Sequence, residues 1–393
     1  MEKKTIKDVD LKGKTVIVRV DFNVPLDDKL NVTDNTRIKA ALPTIKYILD
    51  QNAKLILMSH LGRPQGKVVD SLKMLPVGKE LSRLLNKEVE VCNDCLGKNI
   101  KNKVINMKIG DILLLENLRF HPEERENDAQ FSKDLASLAD VYVNDAFGTA
   151  HRAHASTEGI TKYLPAVAGF LMEKELEYLG KIRSNPAKPF IAIVGGSKVS
   201  SKISVLEALL EKVDVLIIAG GLAYTFCKAE GWDIGNSIFE DSFFDAAEHL
   251  IEKAKKLKID LIIPVDHVVA DKFSNDANSK VVVGNIPTGF MGMDIGPKTI
   301  ELIKIRLKEA KIVLWNGPLG VFEMETFSKG TFEIAKTLTE VKAITIVGGG
   351  DVVAAINKVG VTDKITHIST GGGASIEFIE GKKLPGVEAL NNK

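Results

Sequence analysis

The chain has 393 residues, of which 45% are hydrophobic and 27% charged, as in a globular protein rather than a disordered or fibrous one. Because a single core stops growing at about 250 to 300 residues, this length predicts two domains. Lys and Arg number 53 against 52 for Asp and Glu, and the net charge of +1 offers no bulk attraction to nucleic acid or acidic membranes. Any anion site must therefore be a local one.

The beginning of the chain and its cysteines indicate the compartment. The first thirteen residues alternate charged and apolar side chains, so we expect no signal or transit peptide, and no apolar run is long enough to span a bilayer. The three cysteines are too few for a disulfide framework, which favours the cytosol. Cys92 and Cys95 could form half of a zinc or redox element, but incidental thiols are the favoured interpretation.

Short β-branched runs alternate with helical patterns along the whole chain. In the first half, strands are predicted over residues 15–20, 54–58, 112–115 and 141–143. A helical pattern follows over residues 170–183, and Pro186 and Pro189 end it. In the second half, strands are predicted over residues 190–194, 215–218, 261–265, 312–315, 344–347 and 366–368.

Strands separated by long connections are typical of βαβ units and parallel sheets. The sequence therefore predicts an α/β fold of two doubly wound parallel-sheet, Rossmann-like domains joined by a hinge helix, a bilobal arrangement. The predicted domains are residues 1–170 and 186–375, with residues 171–185 as the connecting helix and hinge.

Polar residues follow each predicted strand of the first half. In open parallel sheets ligands bind outside the carboxyl ends of the strands, so these positions are candidates for a binding site. Because Lys is the default cation of this chain, an Arg at a strand end suggests a planar fork for carboxylate or phosphate. Arg63, Arg119 and Arg152 are such residues, whereas Arg19 lies inside a strand and is predicted to be structural. His151 and His154 flank Arg152, which favours a hydrogen-bonding or anion-facing role over a metal site.

Glycines follow the strands of the second half, where they would let backbone amides approach a phosphate closely. Five such clusters in one domain predict a nucleotide site; they include Gly195, Gly220, Gly221, Gly349, Gly350, Gly371, Gly372 and Gly373. Lys198 and Lys202 would share one face over the phosphates if a helix begins between them. Asp351 could hold Mg²⁺ or cap the following helix.

Two other functions were weighed against phosphoryl transfer. A nicotinamide-dependent oxidoreductase would carry a dinucleotide-binding fingerprint, and neither that pattern nor a Walker A loop is found. A non-catalytic two-lobed binding protein would need one ligand in its cleft, whereas the arginine-rich half and the glycine-rich half predict two anionic substrates that meet across a cleft. An assay for ATP formation discriminates the three functions.

Seven segments together resemble the phosphoglycerate kinase family over essentially the whole chain. They are RVDFNVP (19–25), SHLGRP (59–64), ENLRFH (116–121), NDAFGTAHRAHAS (144–156), GGSKVSSK (195–202), WNGPLGVFE (315–323) and STGGGAS (369–375). The resemblance implies two Rossmann-like domains with a hinge, and a C-terminal segment at about 376–393 that returns to the N-terminal domain.

The resemblance also implies the site residues. Those implied to hold 3-phosphoglycerate are Asp21, Asn23, Arg37, His60, Arg63, Arg119 and Arg152. Those implied to face the nucleotide are Lys198, Lys202, Gly292, Asn316, Glu323 and 349–352, with Asp351 on magnesium. The family usually carries Ser or Thr where this chain has Val352, so only the backbone amide is expected to serve there.

The implied activity is that of a transferase, EC 2.7.2.3, which moves a phosphoryl group reversibly and in line between 1,3-bisphosphoglycerate with ADP and 3-phosphoglycerate with ATP. It belongs to glycolysis and gluconeogenesis, and a cytoplasmic, ATP-binding, Mg²⁺-dependent monomer without nucleic-acid or membrane partners is expected. An ionised carboxylate acceptor needs no general base. Catalysis is then positioning and charge neutralisation, for which Arg37, Lys202 and Lys198 are the candidates.

Overall fold

The computed structural model describes residues 2–393, and these form two compact units. Unit 1 contains the residues up to Glu177 together with Lys383–Lys393, and unit 2 contains Tyr178–Lys382. None of the helices in the described part of the chain combines the length and the apolar character needed to cross a membrane.

The strands are β1 (Thr15–Val20), β2 (Lys54–Met58), β3 (Glu90–Val91), β4 (Ile112–Leu114), β5 (Val141–Asp145), β6 (Ala166–Ala168), β7 (Phe190–Val194), β8 (Val215–Ile218), β9 (Asp260–Ile262), β10 (Asp266–Ala270), β11 (Ser279–Val283), β12 (Met291–Ile295), β13 (Ile312–Asn316), β14 (Ile344–Gly348) and β15 (His367–Ser369).

The helices are α1 (Thr36–Asp50), α2 (Leu75–Leu85), α3 (Lys98–Asn106), α4 (Pro122–Glu126), α5 (Ala129–Ala136), α6 (Phe170–Ser184), α7 (Ile203–Leu210), α8 (Ala223–Ala229), α9 (Phe244–Leu257), α10 (Pro297–Leu307), α11 (Lys329–Thr337), α12 (Gly350–Val359), α13 (Gly373–Ile379) and α14 (Pro385–Glu388).

Unit 1 is built on a six-stranded sheet in the order β3-β4-β2-β1-β5-β6, and every pair in it is parallel. The central strands β1, β2 and β5 are buried along nearly their whole length, as expected where helices cover both faces of a parallel sheet. This burial explains why these strands read as continuous apolar runs in the sequence.

The C-terminal segment completes unit 1. The amide of Gly386 donates to the carbonyl of Ala150 at 2.8 Å, and the amide of Asn391 donates to that of Ala166 at 2.9 Å. Lys3 adds side-chain hydrogen bonds to the carbonyls of Glu388 and Leu390. The two ends of the chain are therefore part of the same fold as the sheet.

Unit 2 contains a second six-stranded parallel sheet, in the order β15-β14-β13-β7-β8-β9. One face of this sheet packs against α10, α11 and α12 to form a hydrophobic core. The predicted α/β class with two parallel sheets is confirmed.

The structure differs from the predicted strands between residues 260 and 295. The run 261–265 was predicted as one strand, but β9 ends at Ile262, because Pro264 has no amide proton with which to continue the ladder. A separate antiparallel sheet follows, in the order β11-β10-β12, and it was not predicted. The side chains of β11 are mostly exposed, so this strand lacks the apolar run that marks the other strands.

Candidate active site

The carboxyl ends of four neighbouring strands in unit 1 carry the predicted substrate residues. In the sheet these strands stand in the order β4-β2-β1-β5, so the loops that follow them meet at one edge. Asp21 and Asn23 follow β1, His60 follows β2, Arg119 follows β4, and Arg152 lies in the loop after β5. Local strand patterns thus placed these residues correctly at strand ends, and the strand order brings the ends together.

Asp21 and Arg37 form an ion pair at this edge. Arg37 is the second residue of α1, and its Nη1 lies 2.5 Å from Oδ2 of Asp21. The Arg37 side chain is nevertheless 39% exposed. Asp21 therefore orients the guanidinium while part of it stays accessible to a ligand.

His60 is buried and is held by an arginine inside β1. Nη2 of Arg19 lies 3.1 Å from Nδ1 of His60. Because a guanidinium can only donate, Nδ1 must accept and the neutral imidazole carries its proton on Nε2. Burial, followed by the charges of Arg19 and other arginines, holds the pKa of His60 well below its usual value of 6.5. His60 is therefore a neutral hydrogen-bond donor at physiological pH.

Asn117 and Asn23 fix the loops that carry Arg119 and Gly62. The Asn117 side chain bonds both the amide and the carbonyl of Leu61. Asn23 accepts from the amide of Gly62 at 2.8 Å, and Nη1 of Arg119 donates to the Gly62 carbonyl at 2.9 Å. The buried Nε of Arg119 has no hydrogen-bond partner. Burial and then neighbouring arginine charges lower the pKa of Arg119 to about 10.

His154 belongs to the same cluster. Burial, and then the charges of Arg19, Arg119 and Arg152, lower the pKa of His154 to about 3. Behind it the carboxyl group of Glu124 is fully buried and accepts from the amide and the hydroxyl of Ser156. Ser156 in turn accepts from Nε of Arg19 at 2.8 Å.

The positive charge of this cluster is incompletely balanced. Arg19, Arg119 and Arg152 lie close enough to act on one another and on two histidines that stay neutral. The pKa of Glu124, the nearby buried acid, is itself raised by burial. A region in which guanidinium groups outnumber the neighbouring carboxylates favours a bound anion.

Arg63 and Arg152 are exposed on their loops. The charge of Arg63 is not among those that most affect the pKa of His60, His154 or Arg119. Arg63 therefore remains a predicted ligand residue that the geometry of unit 1 does not place in the cluster.

In unit 2, a chain of hydrogen bonds links three strand ends. Nζ of Lys202 donates to Oδ1 of Asn316 at 2.6 Å, and Nδ2 of Asn316 donates to the carbonyl of Gly348 at 3.0 Å. The carbonyl of Asn316 accepts from the amide of Gly195 at 2.8 Å. The segment after β7 and the ends of β13 and β14 are thereby tied into one surface.

Two glycines of this surface are required by close backbone approach. A Cβ on Gly195 would lie 2.1 Å from the carbonyl oxygen of Pro318, and one on Gly220 would lie 2.8 Å from that of Gly196. Any side chain at either position would push these loops apart. The predicted glycine-lined surface is therefore formed by backbone of several connections.

The first turn of α12 presents backbone amides and a carboxylate to this surface. Gly349 precedes the helix with φ of +99°, and the first amide to find an intrahelical acceptor is that of Val353. The three preceding amides are left without helical partners, as at any helix N-terminus. Asp351 is exposed in this turn, whereas the side chain of Val352 is fully buried in the core.

Lys202 lies close enough to this turn for the charge of Asp351 to act on it. Burial lowers its pKa from the usual value, and the charge of Asp351 acts in the opposite direction. Lys198 and Lys202 do not share a helical face, because a short 3₁₀ turn, Val199–Ser201, separates them and α7 begins only at Ile203. Lys198 is exposed and near enough to Glu240 to lower the pKa of that acid.

The remaining predicted nucleotide residues lie at other places in unit 2. Gly292 is in β12, where a Cβ would lie 1.9 Å from the Tyr224 hydroxyl, and its amide donates to Oγ of Ser237. Glu323 is exposed after β13, and Gly221 is close to Ser197. The cluster 371–373 connects β15 to α13. None of the hydrogen bonds in the described part of unit 2 joins Gly292 or Glu323 directly to Lys202.

Sequence reasoning missed three residues that support the arginine cluster. Arg19 was predicted to be structural, and it is buried as expected, but it also sets the tautomer of His60. Asn117 and Glu124 were given no role, although each bonds several groups of the cluster. The signal for Asn117 was its position directly after a strand. Nothing in the local pattern marked Glu124, which lies on a short helix.

Two α/β units, one with a cation cluster and the other with a glycine-lined anion surface at the strand ends, define the class of the phosphotransferases. The model of the family "Phosphoglycerate kinase" matches residues 6–382. A phosphoglycerate kinase of Moorella thermoacetica is 57% identical over 394 residues, covering 100% of both chains. One of Clostridium tetani is 55% identical over 395 residues, covering 100% of this chain and 98% of the relative.

Solved structures agree with these relatives. The phosphoglycerate kinase of Coxiella burnetii superposes with a TM-score of 0.90 at 43% identity, covering 99% of this chain and 98% of that chain. The phosphoglycerate kinase of Pyrococcus horikoshii gives a TM-score of 0.87 at 35% identity, with 98% coverage of both chains. The chain belongs to the phosphoglycerate kinase family, and it is a transferase of the kinase type that acts in glycolysis.

Proposed function

We propose that the chain transfers a phosphoryl group reversibly between ADP with 1,3-bisphosphoglycerate and ATP with 3-phosphoglycerate. The observation that carries this assignment is the cluster of guanidinium groups around two neutral histidines in unit 1. Such a cluster suits a small acid that bears both a phosphate and a carboxylate. Unit 2, with its unpaired helix amides, suits the phosphates of a nucleotide.

In unit 1, the substrate is held by Asp21, Asn23, Arg37, His60, Arg63, Arg119 and Arg152. The unpartnered Nε of Arg119 supports a role in gripping the non-reacting phosphate. The proton on Nε2 of His60 supports donation to a substrate oxygen. Arg37 is the catalytic candidate of this unit, because its pairing with Asp21 leaves its exposed guanidinium oriented for the reacting carboxylate.

In unit 2, the nucleotide faces Gly195, Lys198, Lys202, Gly220, Gly221, Gly292, Asn316, Glu323, 349–352 and 371–373. Lys202 already donates to an uncharged amide oxygen, and exchanging that partner for a phosphoryl oxygen would leave the ammonium free to follow the transferred group. Lys198 assists from the exposed side. The backbone amide of Val352 replaces the hydroxyl that is usual in the family.

Asp351 fits a magnesium ion, because an exposed carboxylate at the turn where nucleotide phosphates would bind is the oxygen donor that Mg²⁺ prefers. Held by Asp351, Mg²⁺ would neutralise part of the charge of the nucleotide phosphates. The ionised carboxylate acceptor needs no general base, so the residues of the chain position the two substrates and exclude water.

We further propose a monomer that works in the cytoplasm with small-molecule substrates only. All three cysteines are free and buried, which suits a reducing compartment. The near-zero net charge supports the expectation that neither nucleic acid nor a membrane is a partner.

The test is ATP formation from ADP and 1,3-bisphosphoglycerate, followed by kinetics of Arg119→Ala in the reverse direction. We expect this variant to raise KM for 3-phosphoglycerate by roughly 10-fold or more and KM for ATP much less, since a charge-assisted contact contributes about 1.5 to 3 kcal/mol. Arg83→Ala, which removes an exposed arginine paired with Glu80 on α2, is the matched control. A rise in KM for ATP rather than for 3-phosphoglycerate would contradict the assignment of 3-phosphoglycerate to unit 1 and of the nucleotide to unit 2.

A further inference from the structure

Beside the segment that carries Arg119, but among residues with no role in the proposed reaction, three side chains of unit 1 have the composition of a metal site. Asp94, Cys95 and His121 each offer one ligand atom, and these atoms all lie within 4.8 Å of one another. Nε2 of His121 is 2.7 Å from Oδ1 of Asp94. Carboxylate, thiol and imidazole are three of the donors that bind zinc in proteins.

The fold brings these three residues together from two connections. Asp94 and Cys95 lie between β3 and α3, and His121 directly precedes α4. Because β3 and β4 are parallel neighbours, the segments that follow them run side by side. The amide of Glu116 donates to the carbonyl of Asp94, and Sγ of Cys95 lies 3.0 Å from the carbonyl of Glu116.

The donors are oriented before any ion arrives. Oδ1 of Asp94 accepts from the amide of Cys95 at 2.6 Å, which fixes the carboxylate beside the thiol. The ring of His121 packs on that of Phe131, with 5.2 Å between the ring centres. Side-chain orientation held by packing and by outer hydrogen bonds is what metal sites need.

Charge and access also favour a cation. Burial, followed by the negative charges of Asp94, Glu124 and Glu116, raises the pKa of the Cys95 thiol well above its usual value, and these carboxyl groups would attract a cation to the thiol. Cys95 is fully buried, but the side chains of His121 and Asp94 are 30% and 51% exposed. An ion could therefore enter from solvent past the two exposed ligands and reach the thiol beneath them.

We propose that Asp94, Cys95 and His121 bind one divalent cation of the zinc class, with water as the fourth ligand. Thiolate and imidazole select zinc over the hard ions Mg²⁺ and Ca²⁺, so this site is separate from that at Asp351. On binding, the S–H bond of Cys95 breaks, its proton leaves to solvent, and a metal–sulfur bond forms. The ion would tie the loop after β3 to the segment that carries Asn117 and Arg119.

Co²⁺ is the probe, because cobalt bound to a thiolate in a tetrahedral site has an intense charge-transfer absorption that other cobalt sites lack. Nucleotide-free protein, freed of metal by chelation, is titrated with Co²⁺ and then with Zn²⁺. We expect one Co²⁺ per chain with the thiolate band, and loss of that band when Zn²⁺ displaces the cobalt. A chain that shows no saturable thiolate band would overturn the proposal.

Variants identify the ligands. Cys95→Ala and His121→Ala should each abolish the band, whereas Cys92→Ser, which changes the neighbouring thiol, and Cys227→Ser, in unit 2, should keep it. Circular dichroism checks that each variant is folded, and His121→Ala, at a partly exposed position, keeps the test valid if Cys95→Ala does not fold. A band that survives in His121→Ala, or that disappears only in Cys92→Ser, would contradict the assigned ligands.

Discussion

Lys202 is proposed to stabilise the transition state of phosphoryl transfer rather than only to bind the nucleotide. Its ammonium is partly buried, with Asn316 as its neutral partner, so little ground-state charge holds it. We expect Lys202→Ala to lower kcat by roughly 10² to 10⁴-fold and to change the nucleotide KM far less. Steady-state kinetics with both substrates varied measures this.

The matched control for Lys202 is Lys256→Ala, an exposed lysine of α9 in the same unit, which should leave both constants unchanged. A lysine that only neutralises ground-state phosphate would raise KM at nearly constant kcat, because uniform binding does not accelerate the chemical step. A Lys202→Ala enzyme with most of its kcat would remove this residue from the catalytic list.

The low pKa of His154 predicts that unit 1 becomes less stable as the pH falls. Its pKa of about 3 in the folded protein lies below the usual 6.5, so the unfolded chain binds a proton that the folded chain excludes. The neutral His154 side chain therefore does not reduce the free energy of unfolding above pH 6.5, and the free energy of unfolding falls as the pH drops from 6.5 toward 3. Between pH 7.5 and 5.5 the free energy of unfolding should fall by about 1 kcal/mol more in the wild type than in His154→Gln.

Urea unfolding followed by circular dichroism at the two pH values tests this difference. Trp232 and Trp315 are the two tryptophans of the chain and both lie in unit 2, so their fluorescence supplies an internal control that should not respond to His154→Gln. Equal pH dependence of the wild type and the variant would mean that His154 is protonated as readily in the folded chain as in the unfolded one.

At the scale of elements, α12 offers a comparison between its two ends. Gly349 before the helix and Gly360 after it both have positive φ, +99° and +77°. Ala costs about 1 kcal/mol of stability at Gly360, which is left-handed, and more at Gly349, whose ψ of 132° lies outside the left-handed region. Only Gly349 adjoins the proposed phosphate site, where a Cβ would lie 3.4 Å from Nδ2 of Asn316.

We therefore expect Gly349→Ala to weaken nucleotide binding by roughly 10-fold or more, and Gly360→Ala to leave nucleotide binding unchanged while lowering stability less. Isothermal titration with Mg²⁺-ADP measures the first quantity and thermal unfolding the second. Equal nucleotide affinities for the two variants would show that the N-terminus of α12 does not bind the nucleotide phosphates.

At the scale of the whole molecule, each ligand should stabilise its own unit. A ligand that binds only the folded state at 100 times its Kd stabilises it by about 2.7 kcal/mol. We expect Mg²⁺-ADP to raise the unfolding midpoint seen by tryptophan fluorescence, which reports on unit 2. 3-Phosphoglycerate should mainly raise the unfolding midpoint of unit 1, which circular dichroism detects and tryptophan fluorescence does not. If 3-phosphoglycerate stabilised unit 2 and Mg²⁺-ADP stabilised unit 1, the assignment of substrates to units would be reversed.

From local sequence patterns one can predict the α/β class, the main strands of both sheets and the presence of anion-binding residues at the strand ends. Apolar runs such as 15–20 and 190–194 are long enough to indicate buried parallel strands, and arginine or glycine after a strand predicts an anion site. These signals are local, because side-chain periodicity and turn chemistry depend on neighbouring residues.

Which distant residues come into contact depends on the tertiary structure. Arg19 bonds His60, 41 positions away, and Lys202 bonds Asn316, 114 positions away, because strand order places their loops side by side. The exposed antiparallel sheet of β10, β11 and β12 and the grouping of Cys95 with His121 likewise depend on packing between distant segments. Local sequence patterns do not predict such contacts, because the burial and the charge around each residue depend on how the strands and loops pack together.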